Sequence, residues 1–230
     1  MKTIFFDIDG TLVKTAAGRD AMAAAITDAF GMESDPEGIE FAGRTDRGII
    51  RDFFKRHEIQ ETEEMVASYC QSFLRMLAEF LPIYTGRVLD RVPETVAALA
   101  GRPDVRLGLL TGNLLEAARL KLAHFGLDHY FFNGHDTLGE FGDKQPHRDD
   151  LARDAMRQLE ASAGEAVSRD DVWIIGDTPS DIQCARAINV RVAAVATGSY
   201  TAEELAKSQP DILLDDLHDY QAWFDLMEIQ

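Results

Sequence analysis

The chain has 230 residues, 46% hydrophobic and 27% charged, which suffices for one large apolar core or for a core carrying a smaller appended unit. Its formal net charge of −17 repels polyanions, so nucleic acid and anionic membrane surfaces are not expected partners, and no window of about 18 apolar residues suggests a membrane span. Cys70 and Cys184 lie far apart and read as buried free thiols, and no basic leader precedes the first apolar run, so a soluble cytoplasmic protein, monomer or homodimer, is expected.

The first element is Lys2 to Asp7, a nearly continuous apolar run of the kind that suits a buried parallel strand. A helical texture follows. Gly18 to Phe30 repeats Met22, Ile26 and Phe30 at a helical interval and stops at Gly31. A second helix reads from Asp46 to about His57. A third begins at Thr62, with Glu63 and Glu64 favouring its N-terminus, and carries Tyr69, Phe73, Leu77 and Phe80 on one stripe before ending near Pro82. No strand is expected within this block.

From Pro93 the pattern alternates. The helix VPETVAALA precedes the strand Val105 to Leu110, and NLLEAARLKLAHFG is a helix ending at Gly126. The loop Asn133 to Gln145 is polar and glycine-rich. A helix over Arg148 to Leu159 leads to the strand DVWIIG, ending at Gly176; the helix DIQCARAI, the strand VRVAAVAT, a short helix capped by Thr201 with Glu204, and the strand DILL complete the series. Strands and helices alternating at these lengths imply an α/β fold: a Rossmann-like three-layer α/β/α core with a parallel sheet. The core is expected over residues 1–14 and 86–230, with an inserted α-helical cap over 15–85. An insertion behind the first strand lies over the sheet edge where open α/β folds bind ligands, as a lid would.

Three strand ends carry chemistry: FDIDGT, LLTGN and IIGDTPSD, with Lys144 and Arg148 in the segment between the last two. In a parallel sheet these ends converge, bringing together Asp7, Asp9, Asp177, Asp181, the Thr111 hydroxyl and a cation. Carboxylates so close repel one another and call for a compensating cation, and hard oxygen donors with positions left for phosphate suit Mg²⁺. The metal would also neutralise charge between an attacking carboxylate and an anionic phosphoryl group. Asp7 is then placed to attack phosphorus, forming an aspartyl-phosphate, and Asp9 to protonate the leaving oxygen and later take a proton from water. Thr111, Gly112 and Asn113, where a strand becomes a helix, offer a hydroxyl and backbone N–H groups to phosphate oxygens, or else simply cap that helix.

At these residues the chain resembles the haloacid dehalogenase superfamily with a helical cap inserted after the first motif. Asp7-Ile8-Asp9-Gly10-Thr11 matches the first motif, Thr111 the second, and Asp177 with Asp181 the fourth. The resemblance implies that Asp7 is nucleophile and metal ligand, and that Asp9 is the acid/base whose main-chain carbonyl also ligates the metal. It makes Asp177 the third protein ligand, with Asp181 acting through water or by holding the site in shape. The third motif departs from the usual Lys-Pro-x-Pro: the chain reads Lys144-Gln-Pro-His-Arg148, and either cation fits, with Arg148 favoured because it opens the following helix.

An acid at position 9 argues for phosphate-ester chemistry, since a dehalogenase has no leaving oxygen to protonate. The chain is similar to phosphoglycolate and sugar-phosphate phosphatases. A Mg²⁺-dependent phosphatase acting on a small phosphorylated metabolite is therefore expected, with a phosphomutase of the β-phosphoglucomutase type as the alternative. A phospho-signalling receiver explains neither Asp9 nor the insertion, and retention of every acidic motif residue argues against a regulatory protein that keeps the fold without activity. The segment Phe41 to Arg47 is the expected specificity loop through Arg44 and Thr45, unless these residues only cap a helix or meet solvent.

Overall fold

The computed structural model describes residues 1–132, 137–163, 166–218, 220–227 and 229; the first part of the glycine-rich loop, 133–136, lies outside them. Among the described residues, six parallel strands form one sheet in the order β5-β4-β1-β6-β7-β8. These are β1 (Lys2–Phe6), β4 (Val105–Leu110), β5 (Gly139–Glu140), β6 (Val172–Gly176), β7 (Arg191–Val195) and β8 (Ile212–Leu214). The fold is therefore α/β with a parallel sheet covered on both faces.

Successive strand residues point to opposite faces and build two cores. Ile4, Phe6, Leu109 and Ile175 join one apolar cluster with α4 (Val92–Ala100), α5 (Leu115–His124) and α9 (Tyr220–Leu226). Phe5, Leu110 and Ile174 join another with α6 (Arg148–Ala163) and α7 (Pro179–Ala187). At β1 every residue from Thr3 to Phe6 is buried, as the unbroken apolar run requires.

Between β1 and β4 the chain inserts α1 (Ala17–Phe30), α2 (Asp46–Arg56) and α3 (Glu63–Phe80). Gly31 at φ 69° ends α1 and Thr62 caps α3 as read, and the Thr45 hydroxyl accepts from Gly48 N at 3.1 Å to cap α2, the alternative to its expected role in specificity. The three helices close around Phe53, Phe54, Tyr69 and Phe73, and Leu114 and Ala117 at the start of α5 join the same cluster.

Among the described strands and α-helices, four were not anticipated. Val13–Thr15 (β2) and Gly86–Val88 (β3) pair antiparallel, with Thr15 opposite Gly86, so a short ribbon joins the two chain passages that flank the inserted helices. β5 is two residues long, and α9 closes one core with Trp223 and Phe224. Cys184 is buried, but Cys70 is only half-buried; both are free, and burial raises both thiol pKa values, to about 12 and about 11. No described helix is long and apolar enough to cross a membrane.

Candidate active site

Strand register builds the site. Phe6 pairs with Leu109 of β4 on one side and with Ile175 of β6 on the other, so the three strands run out together. The next residues along each chain are Asp7, Leu110-Thr111 and Gly176-Asp177, and a main-chain bond from Asp7 N to Ile175 O (2.9 Å) holds the first carboxylate at this edge. Asp7, Thr111, Asp177 and Asp181 are all nearly inaccessible.

Gly10 makes the assembly possible. It adopts φ 85°, a left-handed conformation natural to glycine, and a Cβ there would overlap the Asp177 carboxylate. Thr11 donates to Asp177 Oδ1 at 3.2 Å, and Gly198, in the loop after β7, packs against the same carboxylate. The DGT following the first acids thus seats the acid of another strand.

Carboxylate oxygens of Asp7, Asp177 and Asp181 lie within 4.8 Å of one another. Burial pushes the Asp7 carboxyl up to about 6, with Arg148 opposing and Asp181 and Asp9 adding to the rise. Burial and repulsion from Asp7 and Asp181 hold Asp177 well above the usual carboxylate range. Buried oxygen donors that resist ionising together match a hard divalent cation. Within this trio Asp181 is already engaged. Its Oδ1 accepts from Arg148, and its Oδ2 from the Thr178 backbone N–H (3.0 Å) and hydroxyl (2.7 Å), a capping box at the start of α7. Asp7 and Asp177 keep more free oxygen valence.

Arg148 opens α6 with its side chain buried. It lies 3.1 Å from Asp7 Oδ1, pairs with Asp181, and donates to Leu110 O at 3.2 Å. Burial works against its charge, but Asp181 and Asp7 outweigh it and raise the guanidinium pKa. Its Nε is buried with no hydrogen-bond partner among the described residues. Lys144 is exposed, and its charge acts on the Glu140 and Asp143 carboxylates instead. Of the two cations read from the sequence, Arg148 stands beside Asp7.

The segment Thr111–Asn113 is used differently from a simple helix N-terminus. Leu114 N donates to Asp46 Oδ2 at 2.8 Å and Leu115 N to Asp143 Oδ2 at 2.9 Å, so carboxylates take the first N–H groups of α5. The Asn113 side chain is saturated: Nδ2 donates to Asp9 Oδ2 and Thr111 Oγ1, both at 2.8 Å, and Oδ1 accepts from Lys121 at 2.6 Å. The Asn113 N–H donates to Thr111 Oγ1 at 3.4 Å, so what can face an anion is the Thr111 hydroxyl with the Gly112 backbone.

The inserted helices close over this edge. Asp46 N donates to Gly112 O at 2.6 Å and Arg47 N to Gly142 O at 3.1 Å; a Cβ on Gly112 would strike the Arg44 carbonyl, so the two backbones pass in contact. Burial pushes the Asp46 carboxyl up to about 7, while Lys121 and the Leu114 N–H pull it down. Arg44 reaches the cavity but pairs with Asp52 at 2.9 Å. Thr45 is fully buried as the α2 cap and does not line the cavity. The cavity between helices and strand ends measures about 410 Å³ and is bordered by Asp7, Asp9, Thr111, Lys121, Arg148 and Asp177. Lys121 was not singled out from the sequence, and Asp46 was read only as the start of the second helix. The signal for Lys121 was its position on the face of α5 that carries Ala117, Ala118 and Leu122.

A chain with this sheet order, these strand-end acids and a helical insertion behind β1 belongs to the haloacid dehalogenase-like hydrolases, whose family model matches residues 4–195. It is 27% identical to the pyrophosphatase PpaX of Halalkalibacterium halodurans, over 95% of this chain and 94% of that protein. It is 28% identical to the phosphoglycolate phosphatase of Pectobacterium atrosepticum, over 94% of this chain and 88% of that one. A solved hydrolase from Pseudomonas syringae shares the fold with TM-score 0.71 at 18% identity, covering 98% of this chain and 99% of its own.

Proposed function

We propose that this hydrolase is a Mg²⁺-dependent phosphatase that removes a phosphoryl group from a small metabolite, phosphoglycolate or a sugar phosphate, through an aspartyl-phosphate on Asp7. The observation that carries the reading is the meeting of Asp7, Asp9, Thr111, Arg148 and Asp177 at one cavity, whose 410 Å³ suits a metabolite-sized ligand. Relatives named as phosphatases point the same way.

Asp7, Asp177 and the Asp9 carbonyl would hold the Mg²⁺, with Asp181 keeping Arg148 and the start of α7 in place. When bound, the metal supplies positive charge between the Asp7 carboxylate and the phosphoryl oxygens. The Thr111 hydroxyl and the Arg148 guanidinium hold those oxygens and meet the charge that grows on them. An Asp7 oxygen forms a bond to phosphorus in line with the departing group. The bond from phosphorus to the leaving oxygen breaks, its electron pair stays on that oxygen, and Asp9 supplies the proton. In the second half Asp9 takes a proton from water, the water oxygen attacks phosphorus, and Asp7 is released as carboxylate. Residues 15–85 would act as the cap that excludes bulk water during both halves.

The test is hydrolysis of p-nitrophenyl phosphate and of a panel including 2-phosphoglycolate and hexose phosphates, with and without Mg²⁺. Asp7→Asn is expected to lower kcat by about 10⁴-fold or more, and EDTA to abolish turnover until Mg²⁺ is restored. Turnover unchanged in Asp7→Asn removes the nucleophile assignment; turnover indifferent to EDTA removes the metal.

A further inference from the structure

Lys121 projects from the middle of α5 with a side chain only 6% exposed, and no step above uses it. Its Nζ lies 2.6 Å from Asp9 Oδ2 and 2.6 Å from Asn113 Oδ1, while Asn113 Nδ2 donates to the same Asp9 Oδ2 at 2.8 Å. One oxygen of Asp9 is therefore gripped from two sides. The other, Oδ1, has no hydrogen-bond partner among the described residues, and Asp9 is open to the cavity with a side chain 42% exposed. Space for this reach comes from α1: a Cβ on Gly18 would stand 3.2 Å from Lys121 Nζ and 3.3 Å from its Cε. A desolvated ammonium costs stability unless it is closely paired, so a lysine in this place calls for a reason beyond packing.

We infer that Lys121 is a positioning residue for proton transfer: with Asn113 it fixes the Asp9 carboxyl so that Oδ1 delivers the proton to the leaving oxygen. The inference rests on the acid/base role proposed for Asp9. As the proton passes from Oδ1 to the leaving oxygen, the negative charge left on Asp9 stands against the Lys121 ammonium. The grip of the Asn113 amide on both Asp9 and Thr111 Oγ1 ties that carboxyl to the phosphate-binding loop. Proton delivery thus keeps its aim relative to the bound phosphoryl group.

A substrate whose leaving group needs no proton separates positioning from general damage. Lys121→Met is expected to lower kcat/KM about 10²-fold for an alkyl phosphate such as 2-phosphoglycolate or glycerol phosphate. For p-nitrophenyl phosphate, whose phenolate departs unprotonated, kcat/KM is expected to fall less than about fivefold. Gly18→Ala, which presses on Lys121 without removing its charge, is expected to give a weaker loss with the same selectivity, and it carries the test if Lys121→Met does not fold. Equal losses on both substrates, or no loss on either, overturn the inference. Asp9→Asn, assayed alongside, separates the two levels. If it shows the leaving-group selectivity and the Lys121 and Gly18 variants do not, Lys121 alone is wrongly assigned; if it shows none, the acid role of Asp9 fails.

Discussion

Asp7 and Asp177 at the strand ends and Asp46 at the start of α2 border one cavity and are all buried, yet their surroundings differ in kind. Asp7, Asp177 and Asp181 crowd one another and share a single guanidinium, Arg148. Asp46 faces a backbone N–H and, further off, Lys121. The first arrangement holds more negative charge than its own cation balances and is suited to a divalent ion. The second is complete without one and ties an inserted helix to the loop after β4. Burial alone therefore does not mark a metal ligand; unshared oxygen valence next to other acids does.

Removing the cation from the first neighbourhood should have the largest effect. In metal-free buffer, Arg148→Ala leaves Asp7 and Asp181 without their partner and is expected to cost about 3–5 kcal/mol near neutral pH. The loss should shrink as pH falls below about 6, where the Asp7 carboxyl protonates, and urea unfolding at several pH values reads it directly. A uniform small loss would mean that the guanidinium is not what balances those acids.

The second neighbourhood is expected to respond through pH. The Asp46 carboxyl stands at about 7 in the folded chain against 3.8 unfolded, so between those values the native state holds a proton that the unfolded chain has released. Stability is therefore full below about pH 4, falls as pH rises toward 7, and levels off above. At 1.36 kcal/mol per unit the whole effect is at most about 4 kcal/mol. Asp7, at about 6, contributes in the same direction over a narrower window. Asp46→Asn keeps an acceptor for Leu114 N–H and removes the titration. The difference between variant and parent should therefore isolate Asp46, and the variant's stability should be flatter with pH. Parallel pH profiles would contradict the burial argument.

A smaller effect, remote from both neighbourhoods, calibrates the others. Thr62→Ala removes the hydroxyl that accepts from Met65 N at 3.2 Å at the start of α3, and should cost about 1 kcal/mol with phosphatase activity unchanged. A loss of activity there would show that the inserted helices transmit strain to the strand ends.

The strand-end acids were legible because they interrupt what otherwise reads as buried strand. Asp7 and Asp177 break apolar runs where parallel strands end, and register then brings them together. The helices of the insertion were legible through Thr45, Thr62 and Gly31, whose local conformations need no tertiary context. What escaped depends on long-range pairing. β2, β3 and β5 are two or three residues long and form only because a partner passes beside them, so no periodicity could reveal them. Lys121 lies on the apolar face of α5, but its bond to Asp9 appears only once the fold brings β1 and α5 together, and the packing of Gly198 on Asp177 joins segments more than twenty residues apart. Asp46 looked like a helix-start residue, which it is; its bond to Leu114 appears only when α2 meets α5.

The most direct test of the phosphoryl-transfer site is to trap the covalent intermediate. The enzyme is quenched during turnover of 2-phosphoglycolate or p-nitrophenyl phosphate and treated with borohydride, which reduces an acyl-phosphate to an alcohol, and its peptides are then mapped by mass spectrometry. The account predicts homoserine at position 7, dependent on substrate and absent from Asp7→Asn. Turnover without modification at position 7, or with modification at a different acid, would contradict it.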